Sequence, residues 1–151
     1  MKKILIISIL LVILLTGCGN KNNKVICANT NETDYLKTDL KIEINFNNEN
    51  TKVTSIEKSM KVKITDIDYI LNECSKDDAL ECVKELAENS RKSSCETNNY
   101  SKCETENITE NGFTIKAEVK MGEDVINEIK MNQSKESLIK EMKEKKNVEC
   151  E

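Results

Sequence analysis

Leu40-Lys41-Ile42-Glu43-Ile44-Asn45-Phe46 alternates apolar and polar side chains without a break. A period of two is the mark of a strand with one buried and one solvated face. Asn47-Asn48-Glu49-Asn50 follows, a run of turn-forming residues that reverses the chain. Beyond it Val53, Ile56, Met60, Val62 and Ile64 carry a second strand. Val53 is odd and the others are even, so the buried face switches once, which predicts a bulge between Val53 and Ile56. The two strands read as a long antiparallel hairpin.

Working outward, Val25-Ile26-Cys27 begins a first strand upstream of the hairpin. Downstream, residues 66–91 carry helical spacing in two stripes. Ile67, Ile70, Leu71 and Cys74 form one; Ala79, Leu80, Val83, Leu86 and Ala87 form another, out of phase with the first. Ser75 followed by Asp78 has capping-box spacing. The expectation is a short helix, a kink, and a main helix running from about Lys76 to near Arg91. A turn at Asn98-Asn99 separates Cys95 from Cys103. Phe113, Ile115, Ala117, Val119 and Met121 then share one face of a further strand, opposite Lys116, Glu118 and Lys120. Ser134 caps a last helix bearing Leu138, Ile139 and Met142; Asn147 is a plausible stop, and Val148-Glu149-Cys150 is a terminal stub. Each strand has an apolar face to bury, and the stripes at 79–87 and 138–142 are the available cover. The predicted fold is α+β: an antiparallel sheet of three or four strands, with a kinked central helix and a C-terminal helix packed mainly on one face.

The start of the chain has a different character. Lys2 and Lys3 precede an apolar run from Ile4 to Leu15, broken only by Ser8, and then Leu15-Thr16-Gly17-Cys18. Such a run is too short for a bilayer core, which needs roughly 20 helical residues, and it has the layout of an export signal. Leu-Thr-Gly-Cys resembles the lipobox of bacterial lipoproteins. That resemblance implies cleavage between Gly17 and Cys18, a diacylglyceryl thioether on Cys18, and handling by lipoprotein-processing enzymes during export. The alternative is an ordinary secretory signal with a chance cysteine. The organisation expected is a cleaved signal peptide at 1–17, a lipidated cysteine and polar tether at 18–24, and one extracytoplasmic domain at 25–151. The localisation expected is the outer face of the cell membrane.

Residues 18–151 carry 21 basic and 27 acidic side chains, a net charge of −6, with no histidine, tryptophan or proline. A mildly acidic, lysine-rich surface argues against nucleic acid as a partner, which calls for a clustered basic footprint. Scarce aromatics argue against sugar-stacking or base-stacking platforms. The abundance of Asn, Lys, Ile and Glu resembles the bias of AT-rich Gram-positive genomes, clostridial or related.

Apart from Cys18 there are six cysteines, Cys27, Cys74, Cys82, Cys95, Cys103 and Cys150, an even number in an exported domain. No Cys-x-x-Cys knuckle occurs, which argues against a zinc site or a thioredoxin-like redox pair. Three structural disulfides are the favoured reading. In continuous helical structure Cys74 and Cys82 stand about 12 Å apart, beyond the roughly 7 Å a disulfide tolerates. If the chain turns back after Arg91, the distances match for Cys82–Cys95, and the Asn98-Asn99 turn permits Cys74–Cys103. Cys74–Cys95 with Cys82–Cys103 is the rival arrangement. Cys27 and Cys150 then join the two ends of the domain.

The lipobox, the cysteine at the first strand, the long hairpin, the cysteine-bearing helix and the late strand together resemble small clostridial membrane lipoproteins of unknown function. So does the closing Ser134-Lys135-Glu136-Ser137-Leu138-Ile139 segment running into Val148-Glu149-Cys150. More distantly the layout is similar to the YehR-like lipoproteins. The likeness covers nearly the whole mature chain in element order, rests on no diagnostic motif besides the lipobox, and implies no catalytic residues.

A direct search for chemistry favours bland explanations. Without histidine the usual triads and the commonest general base are missing. Ser134-Lys135 reads as a helix cap, and Asp66, Asp68, Asp77 and Asp78 read as solvated helix-start acids and not as a calcium loop. Glycines at 17, 19, 112 and 122 exclude a phosphate-binding glycine loop. No cofactor or metal is expected, and the reading is non-enzymatic. The expected function is that of an anchored envelope module whose partners are the membrane, through diacylglyceryl-Cys18, and an unknown envelope protein. The alternative is a small-ligand receptor or accessory solute-binding lipoprotein of a transporter.

Overall fold

A computed structural model describes residues 23–74, 76–95, 100–121, 129–146 and 149–151. The signal peptide, Cys18, the tether up to residue 22, Ser75, the Asn98-Asn99 turn, Asn147 and Val148 lie outside the described residues.

The elements in chain order are β1 (Lys24–Glu32), β2 (Leu36–Phe46), β3 (Val53–Ile64), α1 (Ile67–Glu73), α2 (Ala79–Cys95), β4 (Tyr100–Thr109), β5 (Gly112–Val119), α3 (Lys135–Lys146) and the two-residue β6 (Glu149–Cys150). All described pairings are antiparallel, in the order β4-β5-β3-β2-β1-β6. The hairpin of β2 and β3 is the centre of the sheet. Its register slips between Asn45 and Phe46, which oppose Ser55 and Val53, leaving Thr54 as the extra residue. The bulge therefore falls inside the interval that the change of phase predicts. The turn is held by Asn47, whose side-chain oxygen accepts from Thr51 N–H at 2.9 Å and Lys52 N–H at 3.1 Å. Asn50 takes a left-handed φ of 56°, which asparagine tolerates.

Register shows that one face of the sheet is mainly apolar, with Lys58 as a charged exception between Ile42 and Ala117. Cys27 opposes Ile42, Val25 opposes Ile44, Ile44 opposes Ile56, Met60 opposes Ile115 and Val62 opposes Phe113. Two buried clusters lie along this face. Leu138 and Met142 of α3 pack with Val25, Ile44, Phe46 and Val53. Val83 and Ala87 of α2 pack with Val62, Phe113 and Ile115, joined by Ile70 of α1. Helical cover thus lies over the apolar face, as the α+β reading requires.

The sheet is wider than the three or four strands expected. Residues 100–109 form a strand although only Tyr100, Cys103, Thr105 and Ile108 among them give any inward signal. Two irregularities, at Tyr100/Lys102 and at Glu106/Thr109 where Asn107 takes φ 54°, break its alternation. Pairing with β5 organises this segment more than its own pattern does. Met121, expected on the apolar face, lies beyond β5 and is exposed. The expected kink is a complete break, with one helix ending at Glu73 and the next beginning at Ala79. Asp66 caps α1 by accepting from Tyr69 N–H, Cys74 leaves the helix with extended φ and ψ, and Asp78 caps α2 by accepting from Glu81 N–H at 2.9 Å. The main helix therefore starts at Ala79, three residues later than expected, and it runs to Cys95, four residues past Arg91.

Those boundaries decide the disulfides. Cys27–Cys150 bridges β1 and β6 as expected. The inner pairs are Cys74–Cys82 and Cys95–Cys103, so both Cys82–Cys95 with Cys74–Cys103 and the rival swap are overturned. The 12 Å separation assumed for Cys74 and Cys82 holds only in unbroken helix. Because the chain folds back between α1 and α2, their Cα atoms are 5.8 Å apart. Cys95 ends the helix and does not return along it, which places it about 20 Å of helical rise from Cys82 and 6.4 Å from Cys103 on β4.

Candidate functional site

The other face of the sheet is built from the alternate residues of the same strands, and these are charged. Reading across the sheet, Glu43 on β2 opposes Glu57 on β3, Glu57 opposes Glu118 on β5, and Glu118 opposes Lys102 on β4. The next row holds Lys41, Ser59, Lys116 and Glu104, and the one after it Asp39, Lys61, Thr114 and Glu106. The right-handed twist of a sheet makes such a surface concave along one diagonal. Here the concavity has a volume of about 400 Å³ and is lined by Lys41, Glu43, Glu57, Ser59, Lys102, Lys116 and Glu118 among others.

Ion pairs organise the rim. Glu43 receives Lys24 and Lys41, the latter at 3.5 Å, Lys102 meets Glu104 at 2.6 Å, and Lys116 meets Glu106 at 2.7 Å. The hydrogen bond from Lys24 holds the Glu43 carboxyl below the usual carboxylate range. The carboxylates of Glu104 and Glu106, by accepting from Lys102 and Lys116, hold those ammonium groups above their ordinary value. Such pairs in water contribute little to stability. The centre of the concavity is different, because no ion pair to Glu57 or Glu118 occurs among the described residues. Like charges directly opposite on neighbouring strands are destabilising. Glu43 is offset by Lys24 and Lys41, and Glu118 by the attraction of Lys102 across the strand pair, which leaves Glu57 between two carboxylates.

A second hollow of about 240 Å³ lies on the apolar face beside the end of α2, lined by Leu40, Met60, Cys95, Tyr100, Ile115 and Ala117. Lys58 crosses it to donate to the Tyr100 hydroxyl at 3.1 Å. It is smaller than the usual 300–1,000 Å³ of small-molecule sites.

The residues singled out from sequence scatter. Cys18 lies outside the described residues. The six other cysteines are all in disulfides and line no common site. Asp66 and Asp78 each hold a helix N-terminus, and Ser134 accepts from Ser137 N–H at 3.3 Å. Among the described residues no three His, Cys, Asp or Glu side chains converge as metal ligands, and no helix is long and apolar enough to cross a membrane. The charged face was present in the sequence as the outward half of each alternation. What the alternation does not give is the register, and register alone aligns the three glutamates. No family model, curated protein or solved structure matches this chain.

Proposed function

We propose that this chain is a membrane-anchored extracytoplasmic lipoprotein of the kind its lipobox resembles, held by diacylglyceryl-Cys18. In this reading its domain is a non-enzymatic binding module that engages an envelope partner through the open face of the sheet. The observation that carries the binding role is a concave, charged face on which no helix packs among the described residues, and in which Glu57 and Glu118 stand opposed without a salt bridge among those residues. Paired lysines around unpaired carboxylates suit a partner that presents basic groups between acidic ones. Among the described residues the larger hollow is lined mainly by charged side chains, and the apolar one, about 240 Å³, is below the usual size of a small-molecule site, so the open face supports the binding-module reading better than the transporter-receptor one.

Two measurements in intact cells test this. Metabolic labelling with a tagged fatty acid is expected to mark the full chain and to be lost in Cys18→Ala. A photoactivatable cross-linker at Ser59, on the open face, is expected to give discrete adducts that Glu57→Lys with Glu118→Lys abolishes. The same group at Asn89, on the outer side of α2, is expected to give none of them. Adducts unaffected by charge reversal, or identical from both positions, overturn the open face as the binding surface.

A further inference from the structure

Lys58 is out of character with the apolar face on which it stands. Across the sheet its row reads Ile42, Lys58, Ala117 and Cys103. This row is the seam between the two buried clusters. Ile42 and Tyr100 pack against the cluster under α3, whereas Met60, Cys95 and Cys103 pack against the one under α2. The hollow of about 240 Å³ opens at that seam. Ala117, the smallest side chain of the row, gives it depth, and the Cys95–Cys103 bridge ties the end of α2 to β4 beside it. Leu40 on its rim is 36% exposed, although it alternates in phase with the buried Ile44 and Phe46.

We propose that this hollow binds a small monocarboxylate with an apolar tail, its carboxylate on the Lys58 ammonium and its tail over Leu40 and Met60. Lys58 is half-buried and has three N–H donors, of which the Tyr100 hydroxyl takes one at 3.1 Å. Among the described residues it makes no ion pair. A cation set among apolar side chains is costly unless it is paired. A carboxylate supplies the short, charge-assisted bond that a phenol does not, and the Tyr100 O–H remains available to its second oxygen. One ammonium matches one negative charge, whereas a phosphate monoester brings nearly two and the lining holds no second cation. The volume sets the length of the tail. At the roughly 30 Å³ that a water occupies in the liquid, the hollow holds about eight non-hydrogen atoms. Hexanoate has that size. The site depends neither on the open face nor on the anchor.

Titration with sodium hexanoate tests this on the chain from residue 18, carrying Cys18→Ser so that no acyl group competes, with methyl shifts followed by NMR. Saturable shifts are expected at Leu40, Met60 and Ile115, and none at Leu138 or Met142 under α3. Hexanol has the tail without the charge and acetate the charge without the tail. Each is expected to bind about tenfold more weakly or worse, the scale of one hydrogen bond to a charged group. Lys58→Gln is expected to lose about tenfold in affinity for hexanoate and nothing for hexanol, and Lys58→Arg to keep the preference for hexanoate. Ala117→Leu fills the hollow and leaves the lysine in place, and it is expected to abolish binding of both. Hexanoate affinity undiminished in Lys58→Gln or in Ala117→Leu overturns the proposal. So does the absence of saturable shifts, or their appearance at Leu138 and Met142 in place of Leu40 and Met60.

Discussion

Gly112 opens β5 with φ +140°, and a Cβ built on it would lie 2.0 Å from the carbonyl oxygen of Val62. Both the conformation and the space exclude a side chain, since β3 passes directly against the β4–β5 turn at this point. The oxygen belongs to backbone in the middle of the sheet and cannot swing aside. Gly112→Ala is therefore expected to destabilise the domain by roughly 3 kcal/mol through combined strain and overpacking, measured as a lowered denaturant midpoint. Asn107, the neighbouring left-handed residue on β4, provides a control: it is exposed with φ 54°, and Asn107→Gly is expected to change stability by only a few tenths of a kcal/mol. Equal effects at the two positions would contradict the close approach of β3. Nothing in the sequence distinguishes Gly112 from an ordinary turn glycine, because its constraint comes from a strand about fifty residues earlier.

At the scale of elements, the break between α1 and α2 is fixed twice, by two caps and by Cys74–Cys82. Asp66 and Asp78 each satisfy a helix N-terminus, a contribution of about 1 kcal/mol apiece. The disulfide closes a loop of only eight residues' separation, for which the chain-entropy relation gives about 2.5 kcal/mol. Cys74→Ser with Cys82→Ser is expected to lose about that much and to raise amide exchange in α1 and the first turn of α2. Exchange in β2 and β3 is expected to stay unchanged except through global unfolding. Strand positions 40–46 and 113–119 were legible because a half-buried strand advertises its face in every second residue. The same reasoning misplaced the inner disulfides because two out-of-phase stripes are compatible with either a kink or a full reversal. Only the backbone at Cys74 distinguishes these. Strand β4 was illegible for a related reason, since its bulges erase the alternation by which strands are recognised. The charged site was half legible: its outward residues were evident, but their alignment across four strands was not.

Across the whole molecule, one covalent link joins the beginning to the end. Cys27 and Cys150 are 123 residues apart in sequence and 4.1 Å apart at Cα. Around them, among the described residues, β6 pairs Cys150 with Cys27 and Glu149 with Ala28, extended by reciprocal bonds of 2.9 Å between Ile26 and Glu151. Two residues of strand cannot hold a chain terminus on their own, so the cysteine fixes β6 in place. It also stands in the cluster that contains Leu138 and Met142 of α3. Loss of the bridge therefore acts on the folded state as well as the unfolded one. The chain-entropy relation gives about 5 kcal/mol for a loop of this size, roughly twice the value for either eight-residue loop. Cys27→Ala with Cys150→Ala is accordingly expected to lower the free energy of unfolding by about 5 kcal/mol, near the whole stability of an ordinary domain. Reversible denaturant unfolding of this variant beside Cys74→Ser with Cys82→Ser measures the ratio. If the outer pair costs no more than the inner one, closure of the long loop is not what stabilises the domain. If amide exchange in α3 also stays at its native rate, β6 is held by its hydrogen bonds and not by the disulfide.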